Sequence, residues 1–210
     1  MAEKLDVSPT RGNLLRLEDE LERIREGHDL LDRKREVLTR ELLDMMADAL
    51  SLEREAEERL EAAHEAIREA RMRMGVNRIR WLSLAPSART TVEVRARSIM
   101  GVTASLVDVE IERLPLPYGS GDTSVALDEA RERWLDVARL LGELVETTVT
   151  VWRLATELRK TQRRVNALEE NVIPQYQATV DHISDALEEE EREEIVHAKK
   201  VKEMHGGTEE

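Results

Sequence analysis

Apolar residues recur in alternating steps of three and four along the first third of the chain, and this spacing constrains the fold more than any other feature. Between Leu14 and Ala56, eleven of the thirteen positions in the series are apolar, over about six heptads. So long a heptad series is typical of a coiled-coil helix. The expected seam residues on this helix are Leu14, Leu17, Leu21, Ile24, Leu31, Leu38 and Leu42.

The residues that flank this series predict where the first helix begins and ends. Ser8 and Pro9 form an N-cap and first-turn arrangement, and Gly75 supplies a C-terminal stop after Met74. At Ala56 the series takes two consecutive steps of four, from Leu52 to Leu60, a stutter that locally unwinds a left-handed supercoil. A helix between these limits is about 100 Å long.

A second series with the same spacing runs from Leu127 to Val165. The cap of this helix is expected among Asp122, Thr123 and Ser124, and the helix is expected to continue to about Val201. Pro174 lacks a backbone donor, which predicts a kink or a loosened turn. Two long helices joined by a compact connector favour an antiparallel pair. The expected seam residues on the second helix are Leu141, Leu144, Val151, Leu158 and Val165.

The segment between the helices has a different pattern. Thr91–Arg97 and Val107–Ile111 alternate apolar and charged residues, which predicts two β-strands in a hairpin, joined by a loop longer than a tight turn. The predicted fold class is therefore mainly α: a long antiparallel two-helix coiled coil with a small middle segment that contains the hairpin. The predicted divisions are a helix over 1–75, a middle segment over 76–122, a helix over 123–204 and a disordered tail over 205–210.

Composition narrows the classes of partner. The 32 basic and 45 acidic residues leave a net charge of −13, which argues against nucleic acid because phosphate binding needs a basic surface. Aromatic residues make up only 2% of the chain, which argues against a thick globular core. Neither a membrane-spanning apolar run nor a secretory signal is recognisable, so we expect no direct membrane insertion and a cytoplasmic location.

The usual catalytic motifs are missing from the sequence. It contains no cysteine and no phosphate-binding loop, nucleophile elbow or zinc-protease motif. Glu61-x-x-His64 and Glu194-x-x-His197 have the spacing found in di-iron bundles, but neither pair lies on an apolar stripe, which favours a solvated face. His28 lies on the stripe and is interpreted as a hydrogen-bonded seam residue. We therefore expect no catalytic, cofactor-binding or metal-binding residue and no cofactor.

One stretch of the second helix differs from the rest of this acidic chain. Arg159, Lys160, Arg163 and Arg164 place four cations within six residues. Such a positive band suits an acidic protein surface, although a plain exposed face explains it equally well.

The same stretch carries the most specific pattern in the sequence. Residues 160–169 read KTQRRVNALE, and Val172-Ile173-Pro174 follows. The segments SPTR at 8–11, GHDLLDRKREVL at 27–38 and IMG at 99–101 match as well. Together these segments resemble the D subunit of the V-type and A-type rotary ATPases, in the right order over nearly the whole chain.

The resemblance implies a non-catalytic rotor shaft, which couples ATP synthesis or hydrolysis to proton or sodium transport. In that family the two terminal ends form a coiled coil inside the catalytic hexamer of A and B subunits. The hairpin-bearing part associates with the F subunit, and the base docks on the C subunit, the d-type socket on the membrane ring. The implied hexamer contacts are Arg11, Arg159, Lys160, Arg163, Arg164 and Asn166, and the implied stalk-partner contacts are Ile99, Met100 and Gly101.

Two other classes of protein remain as alternatives. A coiled-coil scaffold or adaptor unrelated to ATPases explains the heptads but not the KTQRRVNALE stretch. A helical-bundle enzyme of the di-iron type explains the Glu-x-x-His spacings and predicts stoichiometric iron in the purified protein.

Overall fold

A computed structural model describes residues 4–84, 88–115, 118–119 and 123–206 of the 210-residue chain. The elements in chain order are helix α1 (Arg11–Met74), helix α2 (Val76–Leu82), strand β1 (Ala88–Ile99), strand β2 (Val102–Arg113), helix α3 (Val125–Ala167), a π-turn (Leu168–Val172) and helix α4 (Ile173–Gly206). The predicted fold class, long helices with a small β-hairpin between them, is confirmed.

Contacts divide the chain into two compact units. The first contains Met1–Glu36 and Arg159–Glu210, and the second contains Val37–Leu158. The domain boundaries predicted at residues 75, 122 and 204 remain a prediction. Of the predicted tail, 207–210 lie outside the described residues, as does Asp122 among the predicted caps.

In the first unit, the beginning of α1 packs antiparallel against α4. Leu17, Val180 and Ile183 are buried together, and Leu5, Val7, Leu14, Tyr176 and Leu187 pack around them. Arg11 pairs with Glu191 at one end of this contact, and Arg35 Nη1 donates to Gln162 Oε1 at 3.5 Å towards the other. The pairing of low with high residue numbers confirms the antiparallel arrangement.

The segment that precedes α1 belongs to the same packed layer. Its Leu5 N–H donates to the Oγ1 of Thr179 at 3.0 Å, and that hydroxyl donates to the Gln175 carbonyl at 2.7 Å. Thr179 is 1% exposed, so a buried hydroxyl is satisfied on both sides by backbone groups.

The π-turn explains why the apolar spacing becomes irregular beyond Val165. Residues on the packed side follow one another in steps of four from Leu168 through Val172 and Tyr176 to Val180. A π-turn contains one residue more than an α-turn, and here the N–H of Ile173 bonds to the carbonyl of Leu168. The next residue, Pro174, has no N–H to restore the α pattern, so the loosened turn predicted at this proline is present.

In the second unit, small side chains allow the end of α1 to pack closely with its neighbours. Ala70, Ile79 and Ala126 form one buried cluster, in which Ile79 comes from α2. Helix α2 lies in the middle segment, for which the sequence analysis predicted only the hairpin. Its short apolar stripe is stabilised by this packing rather than by its length, since seven residues are too few for an isolated helix.

The hairpin forms a two-stranded antiparallel sheet with unbroken register from Ala88↔Arg113 to Ile99↔Val102. Only Met100 and Gly101 connect the strands, both with positive φ, 50° and 79°. The expectation of a longer loop is therefore wrong. Two consecutive residues in the left-handed region form the tight turn whose twist suits a hairpin, and a methionine in that conformation gave no sequence signal.

Candidate functional site

The cationic cluster at residues 159–164 lies on the solvent side of α3. Arg159, Lys160, Arg163 and Arg164 are all exposed. Thr161 and Val165 alternate with them on the opposite side and are 2% and 1% exposed. Because the buried side fixes the rotation of the helix, the four cations present one positive band to solvent.

The two remaining residues implied for the hexamer contact also lie at the surface of the first unit. Arg11 begins α1 and pairs with Glu191, both side chains being more than half exposed. Asn166 is exposed, and its Oδ1 accepts a hydrogen bond from Gln162 Nε2 at 2.6 Å. An exposed ion pair of this kind adds little to stability, so Arg11 can exchange its partner readily.

The three residues implied for the stalk partner differ in accessibility. Met100 is 54% exposed at the tip of the hairpin, beside the exposed Gly101. Ile99 instead packs against the buried cluster of Leu38, Val102 and Leu154. The tip is therefore held on the helices by Ile99, while Met100 and Gly101 are open to a partner.

The predicted seam residues take two kinds of position. Leu17, Leu21, Leu38 and Val165 are buried, and Leu14, Ile24, Leu31, Leu42, Leu144, Val151 and Leu158 are partly buried. Leu141 is a correction, because it is 46% exposed and its neighbour Leu140 is 4% exposed. Helix α3 contacts both α1, through Arg133 and the Ala62 carbonyl, and strand β2, so its buried face is wider than a two-helix seam.

Sequence reasoning missed the residues that fix the hairpin on α3. Gly142, Glu146 and Arg153 lie on one face of the helix, at steps of four and seven. The Glu146 carboxylate accepts the Val107 N–H at 2.7 Å, and Arg153 Nη1 donates to the Thr103 carbonyl at 2.7 Å. A Cβ on Gly142 would lie 2.4 Å from Val109 Cγ2. A glycine inside a heptad helix was the only available signal.

The two Glu-x-x-His pairs lie on α1 and α4. Within residues 4–84, 88–115, 118–119 and 123–200, no group of three or more histidine and carboxylate side chains is placed to hold a metal ion. His64 Nδ1 lies 2.9 Å from the Leu60 carbonyl, and its ring meets Trp134 edge-on at 5.2 Å between centroids. His28, the histidine on the stripe, has its Nδ1 3.3 Å from Asp29 Oδ1.

One tyrosine beside the start of α3 has a perturbed acidity. Tyr118 Oη donates to Asp128 Oδ1 at 2.8 Å. Burial, followed by this hydrogen bond, raises the pKa of Tyr118 to about 12. The residue therefore stays a neutral hydrogen-bond donor over the physiological range and joins the connector to α3.

Among the described helices, none combines the length and apolarity needed to cross a membrane.

Comparison with known proteins gives the class of protein to which this chain belongs. The family model described as the D subunit of ATP synthase matches residues 13–203. The chain is 34% identical over 199 residues to a V-type ATP synthase D subunit from Thermotoga neapolitana, covering 95% of this chain and 98% of the relative. The class is thus that of the subunits of V-type and A-type ATP synthases.

Two A-type relatives give the same result. Identity is 37% over 205 residues with an A-type ATP synthase D subunit from Pyrococcus furiosus, covering 96% of each chain. It is 36% over 201 residues with the A-type ATP synthase D subunit of Methanopyrus kandleri, covering 95% of this chain and 87% of the relative. The chain belongs to the D-subunit family of ATP synthases, and the alternative of a scaffold unrelated to ATPases is set aside.

Proposed function

We propose that the chain is the central-stalk subunit, or rotor shaft, of a V-type or A-type rotary ATP synthase, and that it carries out no chemistry itself. The observation that carries the proposal is the first unit. There the two ends of the chain pack antiparallel around Leu17, Val180 and Ile183, and a positive band faces outwards. A rigid element with a buried seam and a charged exterior is what a rotating contact requires.

The family supplies the proposed surroundings of this element. Its terminal unit would lie within the hexamer of A and B subunits, the hairpin-bearing unit would bind the F subunit, and the base would dock on the C subunit above the membrane ring. The protein would then be cytoplasmic and peripheral to the membrane. The relatives described above, which are D subunits of V-type or A-type ATP synthases, support this placement.

Torque transmission follows from the coupling of binding equilibria. A shaft that contacts equivalent nucleotide sites differently at each angle favours a different set of open and closed sites. Because the coupling is reciprocal, nucleotide occupancy biases the angle of the shaft, and an applied torque biases nucleotide affinity. ATP synthesis or hydrolysis is thereby linked to proton or sodium movement through the ring.

The contact with the hexamer must orient the shaft and still allow it to slide. Arg163 and Arg164 are exposed side chains on a helix whose opposite face is buried, so they can reach acidic groups without inserting an apolar anchor. Exposed ion pairs contribute about 0–1 kcal/mol each, which is weak enough to break at every step.

Rotation itself is the direct test. The chain has no cysteine, so Asn77→Cys provides this chain's single cysteine at an exposed position of α2, outside the implied partner contacts. A bead attached there, on a complex immobilised through its catalytic hexamer, is expected to rotate in steps when ATP is added. A complex that hydrolyses ATP while the bead stays still would overturn the assignment of this chain to the rotor.

The role of the cationic cluster is tested separately. Arg163→Glu with Arg164→Glu is expected to lower the ATPase rate of the complex or its coupling to ion transport. Arg163→Lys with Arg164→Lys is the matched control, since it keeps both charges and is expected to retain both activities. If the glutamate variant assembles and couples normally, the cluster is only a solvated face.

A further inference from the structure

The two outer edges of the hairpin differ in whether another element covers them. The outer edge of β2 is covered by α3, whose Glu146 accepts the N–H of Val107 and whose Arg153 donates to the carbonyl of Thr103. On the other strand, every residue from Arg89 to Ser98 is exposed. Within the described part of the chain, β1 pairs with β2 alone.

The register shows which backbone groups of β1 point away from β2. A two-residue turn makes Ile99↔Val102 a hydrogen-bonded pair, so alternate pairs beyond it have outward N–H and C=O groups. The bonds that Val107 and Thr103 make to α3 confirm this parity, because both residues lie in outward-facing pairs. On β1 the outward residues are Thr90, Val92, Val94, Ala96 and Ser98.

Natural proteins block an open edge with proline, a bulge, a short strand or charged side chains, and of these devices β1 has only the charges. Strand β1 has 12 residues, no proline and an uninterrupted register along its whole length. Two of its outward residues, Val92 and Val94, are apolar, and they are 55% and 66% exposed. The edge is thus a preformed template for another strand.

The side chains of β1 specify the chemistry of that strand. One face carries Arg89, Arg95 and Arg97 and a single Glu93, and Arg89 and Arg95 pair with Glu112 and Asp108 of β2 at 3.4 and 3.0 Å. Both pairs are exposed and therefore weak, so the arginines can exchange them for acidic groups on an added strand. The other face carries Val92 and Val94. Because an added strand alternates its side chains between the same two faces, it would meet cations with one set and valines with the other.

We propose that the open edge of β1 binds an extended segment of a partner protein, with alternating acidic and apolar residues, as a third strand of the sheet. A second copy of this chain is a poorer occupant, because its own β1 would bring three more arginines to the contact. The proposal rests on the proposed function, in which the hairpin-bearing unit binds a protein partner; the rotation experiment tests that function, and peptide binding to the chain tests the edge.

Binding of a synthetic peptide to the full-length chain tests this. The probe is a labelled ten-residue peptide that alternates Glu and Val, followed by fluorescence anisotropy. A second peptide alternates Lys and Val. A third has the Glu/Val sequence with N-methyl groups on alternate residues, which removes the N–H donors along the edge that would face β1. The Glu/Val peptide is expected to bind, and each of the other two at least about tenfold more weakly.

Variants of β1 test the edge from the side of the protein. Val94→Pro removes an outward N–H that the hairpin does not use, so the hairpin is expected to persist while the peptide binds at least about tenfold more weakly. Val94→Ala is the matched control, because it shortens the side chain and keeps the N–H. Arg95→Glu with Arg97→Glu is expected to reverse the preference from the Glu/Val to the Lys/Val peptide.

Hydrogen exchange identifies the groups that are bound. The amides of Val92, Val94 and Ala96 are expected to slow on addition of the Glu/Val peptide. Binding that is unaffected by N-methylation and by Val94→Pro would overturn strand addition, and equal binding of the Lys/Val peptide would overturn the acidic partner. Absence of binding, or self-association of the chain through β1 in sedimentation, would likewise overturn the proposal.

Discussion

Gly142 is the residue at which local preference and tertiary packing conflict most clearly. In the interior of a helix, replacing glycine by alanine stabilises by about 1 kcal/mol. At this position, however, the new Cβ would lie 2.4 Å from Val109 Cγ2. Carbon atoms in contact are normally about 3.5–4.0 Å apart, so Val109 must change rotamer or the hairpin must move.

The magnitude follows from these two opposing terms. Valine is stiff at χ1, and inserting a methyl group into a packed contact costs about 1–3 kcal/mol. Gly142→Ala is therefore expected to lower the free energy of unfolding by about 0–2 kcal/mol. In a Val109→Ala background the nearest remaining atom is the Cβ at 3.4 Å, so the same substitution is expected to raise it by about 1 kcal/mol.

Urea unfolding followed by circular dichroism at about 222 nm measures all four variants of this cycle. The matched control is Gly27→Ala, because a Cβ there has nothing within 4 Å and should give the full helix-propensity gain. If Gly142→Ala stabilises the protein as much as Gly27→Ala does, the packing of β2 on this face of α3 is wrong.

Two further predictions concern single hydroxyl groups. Thr179→Val removes the acceptor of the Leu5 N–H, so it is expected to lower the free energy of unfolding by about 1 kcal/mol and to speed exchange of the Leu5 amide. Thr147→Val, which removes an exposed hydroxyl bonded to its own helix, is the control and should have little effect. Tyr118 has a pKa raised from 10.0 to about 12 by burial and by its bond to Asp128, so the folded state holds the phenol proton more tightly. The stability that this shift contributes is complete below pH 10 and is lost as the pH rises to about 12. Tyr118→Phe should abolish that loss in alkaline unfolding curves. An ultraviolet titration of Tyr118 with a midpoint near 10 would contradict this prediction.

The long helices could be predicted because their evidence is local and repeated. Leu17, Leu21 and Leu38 are buried as the heptad spacing requires, and Gly75, with a φ of 85°, ends α1 at the predicted residue. A periodic signal sums over many turns, so a single polar position such as His28 does not displace it. The cationic cluster was also visible in the sequence, since four charges within six residues need no tertiary information.

The features that were missed depend on contacts between distant segments. Nothing local to Gly142, Glu146 or Arg153 indicates that a strand will lie against them, because that contact depends on where the hairpin folds back. The tight turn at Met100 was missed because non-glycine residues seldom adopt positive φ. Leu141 is exposed for a related reason. Helix α3 packs against the hairpin as well as against α1, so its buried face differs from the heptad positions expected for a two-helix coiled coil.

The π-turn allows the relation between spacing and packing to be tested by deletion. Because that turn contains one residue more than an α-turn, removing Glu170 from it should restore α-helix and keep the following residues in phase. Pro174→Ala must accompany the deletion, since the restored turn needs its N–H. This variant is expected to unfold within about 1 kcal/mol of Pro174→Ala alone.

Deleting Arg164 in the same Pro174→Ala background is the matched control. That deletion also removes one exposed residue, but from regular α-helix, so every later position rotates by about 100°. Val180 and Ile183 would leave the buried cluster, and displacing two such side chains costs about 3–6 kcal/mol. The midpoints of urea unfolding separate the two deletions. Equal losses in both would mean that the π-turn does not set the phase of α4, and that Pro174 alone accounts for the irregular spacing.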